Sequence, residues 1–160
     1  MSETSPVPPR QAVRNVIEGL VGRDVDFSDG EAVHAGGTSV TAVFVTDKLS
    51  TSAVAVVDLA AAARLGGALG LIPKGGVDDA IDDKELPATL RDNCYEVLNV
   101  LSSVFNVPGA PHVKLYKMYG PGDALPPDVQ SLTATLGARE DVRMDISGYG
   151  PGLMSIVCQP

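Results

Sequence analysis

The chain has 160 residues, 44% of them hydrophobic but only 4% aromatic, no tryptophan, and a formal net charge of −8. That length suits one domain whose core is built from Val, Leu, Ile and Ala. The acidity argues against nucleic acid or an anionic membrane surface as a partner, since both call for basic patches.

The first ten residues, MSETSPVPPR, contain no apolar segment of the secretory type, and no run approaches the about 20 apolar residues of a membrane span. The expected location is therefore cytoplasmic. Residues 1–7 read as a disordered tail and 8–160 as a single domain. A first helix is expected over about Pro8–Val21, with Val13, Val16, Ile17, Leu20 and Val21 on its apolar face and Gly22 as its stop. Arg23–Phe27 reads as a short strand and Ser28–Gly30 as a turn. Thr38–Thr46 and Thr51–Val57 are rich in β-branched residues and read as a hairpin.

Asp58 is placed to cap a second helix that Pro73 ends. Gly66 and Gly67 weaken that helix by about 1 kcal/mol each relative to Ala, which a closely packed neighbouring backbone would explain. Lys74–Glu85 reads as an acidic connection. Its five acids do not have the spacing of a calcium loop, and acids ahead of a helix complement its dipole. Leu86–Asn106 then reads as the longest helix, with Leu90, Cys94, Val97, Leu98, Leu101, Val104 and Phe105 at helical spacing. A strand over 112–119, a loop, a short helical stretch around Val129–Leu136 and two closing strands over 141–147 and 153–159 complete the chain. The order implies an α+β fold of antiparallel hairpins packed with three main helices rather than a βαβ crossover fold.

The sequence shows no self-contained hydrolase site, so catalysis would mean contributing one or two groups to a site completed elsewhere. His34 and His112 have no partner at metal-ligand spacing, Cys94 and Cys158 sit in no CxxC cluster, and GxSxG, HExxH and GxGxxG are absent. No metal or cofactor of the chain's own is expected. What remains is a stripe on the long helix opposite its apolar face: Asp92, Glu96, Asn99 and Ser103. Glu96 has Asp92 one turn before it and no Lys or Arg at i±3 or i±4, so the pair repels mildly, by about 0.2–0.5 kcal/mol. An unpaired carboxylate and an amide one turn apart are free to meet something outside the molecule. A merely solvated polar face would carry the same residue types.

The segment Asp92–x3–Glu96–x2–Asn99 resembles the D/S-x3-E-x2-N signature of the CheC/CheX family of chemotaxis phosphatases. The surroundings are similar too: a first helix ending in Gly, a hairpin and a second helix precede the motif, and RQAVRNVIEGLVGRDV is similar to the family's N-terminal helix. The resemblance implies a CheX-like domain that docks on a phosphorylated response-regulator receiver such as CheY. Glu96 would contact the receiver's active-site lysine, Asn99 would position the water that attacks the aspartyl phosphate, and Asp92 would be accessory. The receiver would supply Mg²⁺. The first helix departs from the two-site members, since Arg14 and Val21 stand where a second motif needs Asp or Ser and Asn, so one site at most is implied. Ser102–Ser103 follow where many relatives have Gly, which leaves room for an inactive, receiver-binding or assembly module of the same fold. A small-ligand domain outside the family is the further alternative. CheX-like proteins can pair through sheet edges, which makes the C-terminal strands candidates for a homodimer contact.

Overall fold

The computed structural model describes residues 4–160. Helix α1 spans Arg10–Val21 and is closed by Gly22, whose φ of 69° lets its N–H return to the Glu18 carbonyl. Strands β1 (Val25–Asp29), β2 (Val40–Thr46) and β3 (Thr51–Val57) follow, then α2 (Leu59–Leu69), α3 (Lys74–Asp82) and α4 (Ala88–Leu101). The last continues as a 3₁₀ turn over Ser102–Phe105. Strand β4 (Val113–Tyr119), helix α5 (Pro127–Thr133) and strands β5 (Arg139–Ile146) and β6 (Gly150–Cys158) complete the chain. The Asp58 carboxylate accepts the Ala61 N–H at 2.8 Å, capping α2 as its position in the sequence implies.

All six strands form one antiparallel sheet in the order β1-β5-β6-β3-β2-β4. Exchanging β1 with β4, β2 with β5 and β3 with β6 reverses that order, so the two halves of the chain are related by a pseudo-two-fold through the central β3–β6 pair. In each half a helix precedes a strand that crosses to the other half's hairpin. Helices α1 and α4 are therefore counterparts. In chain order each half therefore runs from a helix through a single strand and on to a hairpin.

One sheet face carries α1, α2 and α4. Alternate residues point into that layer: Val40, Ala42 and Phe44 of β2, Ala53, Ala55 and Val57 of β3, Val142, Met144 and Ile146 of β5, and Met154 and Ile156 of β6. The opposite face holds a smaller cluster in which Val129 and Leu132 of α5 cover Val43, Val45, Val54 and Val157. Helices α2 and α4 pack almost backbone to backbone. A Cβ on Gly66 would lie 2.5 Å from the Leu90 carbonyl oxygen and 3.3 Å from the Cys94 nitrogen. One on Gly67 would collide with Val77 of α3. The glycine pair is thus a socket for two neighbouring helices.

Several expectations need correcting. Lys74–Glu85 is not a bare connection, because α3 occupies Lys74–Asp82 and buries Val77 and Ala80. The C-terminal strands are not edges: β6 lies between β5 and β3, and β5 lies between β1 and β6, leaving β1 and β4 as the open edges. The closing hairpin turns more tightly than expected, with Ile146 already opposite Gly150. Of the segment expected to be disordered, residues 1–3 lie outside the described residues. Ser5 is buried and hydrogen-bonded to Ser52 at 2.7 Å, and Val7 packs against the main core. Among the described residues no helix is long and apolar enough to cross a membrane.

Candidate functional site

Helix α4 buries Leu90, Cys94, Val97, Leu98 and Leu101, the apolar face read from the sequence. The opposite stripe is in solvent: Asp92, Glu96, Asn99 and Ser103 are all exposed. Neither the Asp92 and Glu96 carboxylates nor the Asn99 side chain has a hydrogen-bond or ion-pair partner among the described residues, and the Asn99 backbone carbonyl accepts the Ser102 hydroxyl. Asp92, Glu96 and Asn99 therefore share one face, with the carboxylate and the amide of the last two within a single turn. Sequence reasoning missed Tyr95. It is 41% exposed and sits three residues after Asp92 and four before Asn99, on the flank of the same face. Its exclusion from the apolar periodicity was the signal that could have revealed it.

The helix that carries this stripe is clamped along its length. Near its start, the Arg91 guanidinium meets the Asp123 carboxylate at 3.2 Å in the loop after β4. The Gly120 N–H donates to the same carboxylate at 2.8 Å. That N–H first, and Arg91 second, hold the Asp123 carboxyl below its ordinary range. Two residues on, the Asn93 amide donates to the Gly66 carbonyl of α2 at 3.0 Å. At the far end the Phe105 ring packs on Phe44 with centroids 5.0 Å apart, and the Asn106 side chain pairs with both the N–H and the carbonyl of Val113. Burial pushes the Cys94 thiol up to about 12, leaving it a core residue with no nucleophilic role. The amide that lies next to the stripe in sequence, Asn93, is thus spent on holding the helix, while Asn99 is spent on nothing.

The counterpart helix shows the contrast. On α1, Glu18 accepts the Val25 N–H at 2.9 Å and has the Arg14 guanidinium 3.4 Å away. The Val25 N–H is the main reason that its carboxyl lies below its ordinary range. Val21 is buried. The first-helix carboxylate closes a strand edge, and no second exposed carboxylate–amide pair stands there. His34 is exposed in the loop before β2, and His112 is exposed beside Asp47, 3.2 Å from its carboxylate. Among the described residues no group of three His, Cys, Asp or Glu side chains is arranged to hold a metal ion.

No family model matches the sequence, and no curated protein does. Solved structures do. The CheX of a CheX–CheY–BeF3–Mg²⁺ complex from Borrelia burgdorferi superposes with a TM-score of 0.56 over 94% of each chain, at 12% identity. The fold is that of CheC-like proteins. FliY from Thermotoga maritima matches with a TM-score of 0.58 and 14% identity, over 92% of this chain and 82% of that one. A CheC-like superfamily protein from Shewanella sp. PV-4 matches with a TM-score of 0.52 and 10% identity, over 94% of each chain. The CheC-like fold thus spans CheX on one side and FliY and FliM domains on the other. The α+β architecture and the likeness of fold implied by the sequence motif hold.

Proposed function

We propose that this chain is a phosphatase of phospho-aspartyl receiver domains, acting through α4. The observation that carries the reading is the solvent-facing, unpartnered Glu96–Asn99 pair on a helix fixed at both ends. A carboxylate without a cation of its own suits a lysine that arrives with the partner. Once bound, such a pair is shielded from water, and its attraction strengthens as the effective dielectric falls. An amide can hold a water molecule as donor and acceptor without taking up charge. Asn99 would align that water with the aspartyl phosphorus, Glu96 would fix the partner's register, and Asp92 would be an accessory at the rim. The receiver would bring Mg²⁺ and the phosphoryl group, so this chain supplies position rather than a nucleophile. The solved CheX complex with CheY supports a receiver as the partner class.

A second reading is a module of the same fold that binds a receiver or joins a larger assembly without chemistry. It is favoured by the FliY and FliM likenesses, which are as good as that to CheX. The experiment that separates the two mixes the purified protein with phosphorylated receiver domains and follows the aspartyl phosphate against time. Faster decay of at least one receiver supports the phosphatase; binding without acceleration supports the module.

A further inference from the structure

Strand β4 closes one end of the sheet and, among the described residues, has only β2 as a neighbour. Asn106 occupies the outward N–H and carbonyl of Val113, which seals the first residue. From Leu115 onward the outer side of the strand is open, and a shift in register against β2 leaves Tyr116 as the bulged residue. Three of the five lysines in this acidic chain, Lys48, Lys114 and Lys117, lie at this edge or on the adjoining β2–β3 turn. None is engaged in an ion pair among the described residues, and Lys117 stands over the Tyr119 ring at 4.9 Å. Of the nearby acids, Asp123 lies close enough to Lys117 to feel its charge but is held by Arg91 and the Gly120 N–H, Asp47 is beside His112, and Asp128 lines the adjacent groove.

Lysines on an open strand can serve merely to stop edges from pairing. An edge built only to repel would not also display large apolar side chains. Here Leu49 is 61% exposed and Tyr116 58% exposed. Leu49 is held at the hairpin tip with a φ of 62°, a conformation that glycine or asparagine would adopt more readily. Between them and Tyr119, Pro126 and Val129 runs a groove of about 190 Å³.

We propose that the β4 edge is a second docking site, for an extended acidic segment of another protein that adds to the sheet beside β4. Backbone groups from Leu115 onward would pair with the segment, Lys48, Lys114 and Lys117 would meet its carboxylates, and one of its apolar side chains would enter the groove beside Tyr116 and Leu49. Strand addition supplies affinity through the main chain and specificity through such pockets, and the unpaired lysines along the strand favour carboxylates in the added segment. The proposal is independent of the phosphatase reading.

The test pans random displayed peptides of about ten residues, enough to span the strand at about 3.3 Å per residue, on the folded protein. Selected peptides are then measured by fluorescence anisotropy. The expected pool alternates acidic with apolar or aromatic residues, and its binding falls about tenfold or more in Lys114→Glu/Lys117→Glu and in Tyr116→Ala. Thermal unfolding of these variants stays at the wild-type midpoint, and amide exchange at Leu115–Tyr119 slows when a peptide binds. A pool with no acidic enrichment, or binding that the double substitution leaves unchanged, overturns the proposal. So does concentration-dependent self-association abolished by the same substitutions, which would make a second copy the occupant.

Discussion

Replacing Gly66 by alanine isolates the contact that sets the position of α4. In an open helix the change would stabilise the protein by about 1 kcal/mol, because alanine restricts the unfolded chain and favours the helix. At Gly66 the new methyl would sit 2.5 Å from the Leu90 carbonyl oxygen and 3.2 Å from its carbon, backbone atoms that cannot rotate away. Helix α4 would have to shift outward, stretching the 3.0 Å bond from Asn93 to the Gly66 carbonyl. Overpacking of this kind costs about 1–3 kcal/mol, and the weakened hydrogen bond about 1 more. The net expectation is a loss of about 1–3 kcal/mol, with the sign opposite to intrinsic propensity. Gly75 in α3 is the control, since a Cβ there meets nothing within 4 Å, and Gly75→Ala should stabilise by about 0.5–1 kcal/mol. Urea unfolding of both variants, fitted with a common slope, measures the difference. A Gly66→Ala protein as stable as the wild type would refute the backbone-to-backbone packing of α2 and α4.

Leu98→Ala removes a fully buried side chain from the inner face of α4 and should cost about 2–5 kcal/mol in the same assay; a cost under about 0.5 would mean that the faces of α4 are reversed. Burial pushes the thiols of Cys94 and Cys158 up to about 12 and about 11. Neither should react with a disulfide reagent in the native protein at pH 8, and both should in denaturant. The carboxyls of Glu18 and Asp123 lie below their ordinary range in the fold, so the unfolded chain binds their protons more readily. Their contribution is present above the unfolded value of about 4 and is lost as pH falls through the folded values. Stability should therefore drop on acidification in that window, and Glu18→Gln should flatten the drop, as urea titrations at stepped pH will show.

What the sequence made legible was local. The β-branched run of β2 and β3, the capping Asp58 and the spacing of Leu90, Cys94, Val97, Leu98 and Leu101 each announce an element whose cause lies within a few residues. The stripe of Asp92, Glu96 and Asn99 was legible for the same reason, as the complement of that apolar face. Helix α3 was hidden because its cause is remote. With two glycines and three acids among its nine residues, it is held by Val77 fitting the notch at Gly67, which no window of sequence displays. The sheet order was hidden likewise. The closing hairpin was readable as a unit, but not that β6 would pair with β3 at the centre of the sheet and leave β1 and β4 outside. The division of labour between two amides on one helix, Asn93 bound to α2 and Asn99 free, also depends on a partner in space.

Phosphoreceiver decay with each alanine variant, at limiting and at saturating protein, separates the docking part proposed for Glu96 from the water-positioning part proposed for Asn99. An acceleration of about 100-fold over the receiver's own hydrolysis corresponds to about 2.7 kcal/mol, within reach of one positioned water. Glu96→Ala should weaken association, so that much of its deficit is overcome at saturation. Asn99→Ala should bind nearly as the wild type does and lose most of the rate at every concentration, and Asn99→Asp should also fail, because it sets a second carboxylate against the phosphoryl group. A receiver dephosphorylated as fast by Asn99→Ala as by the wild type would contradict the account.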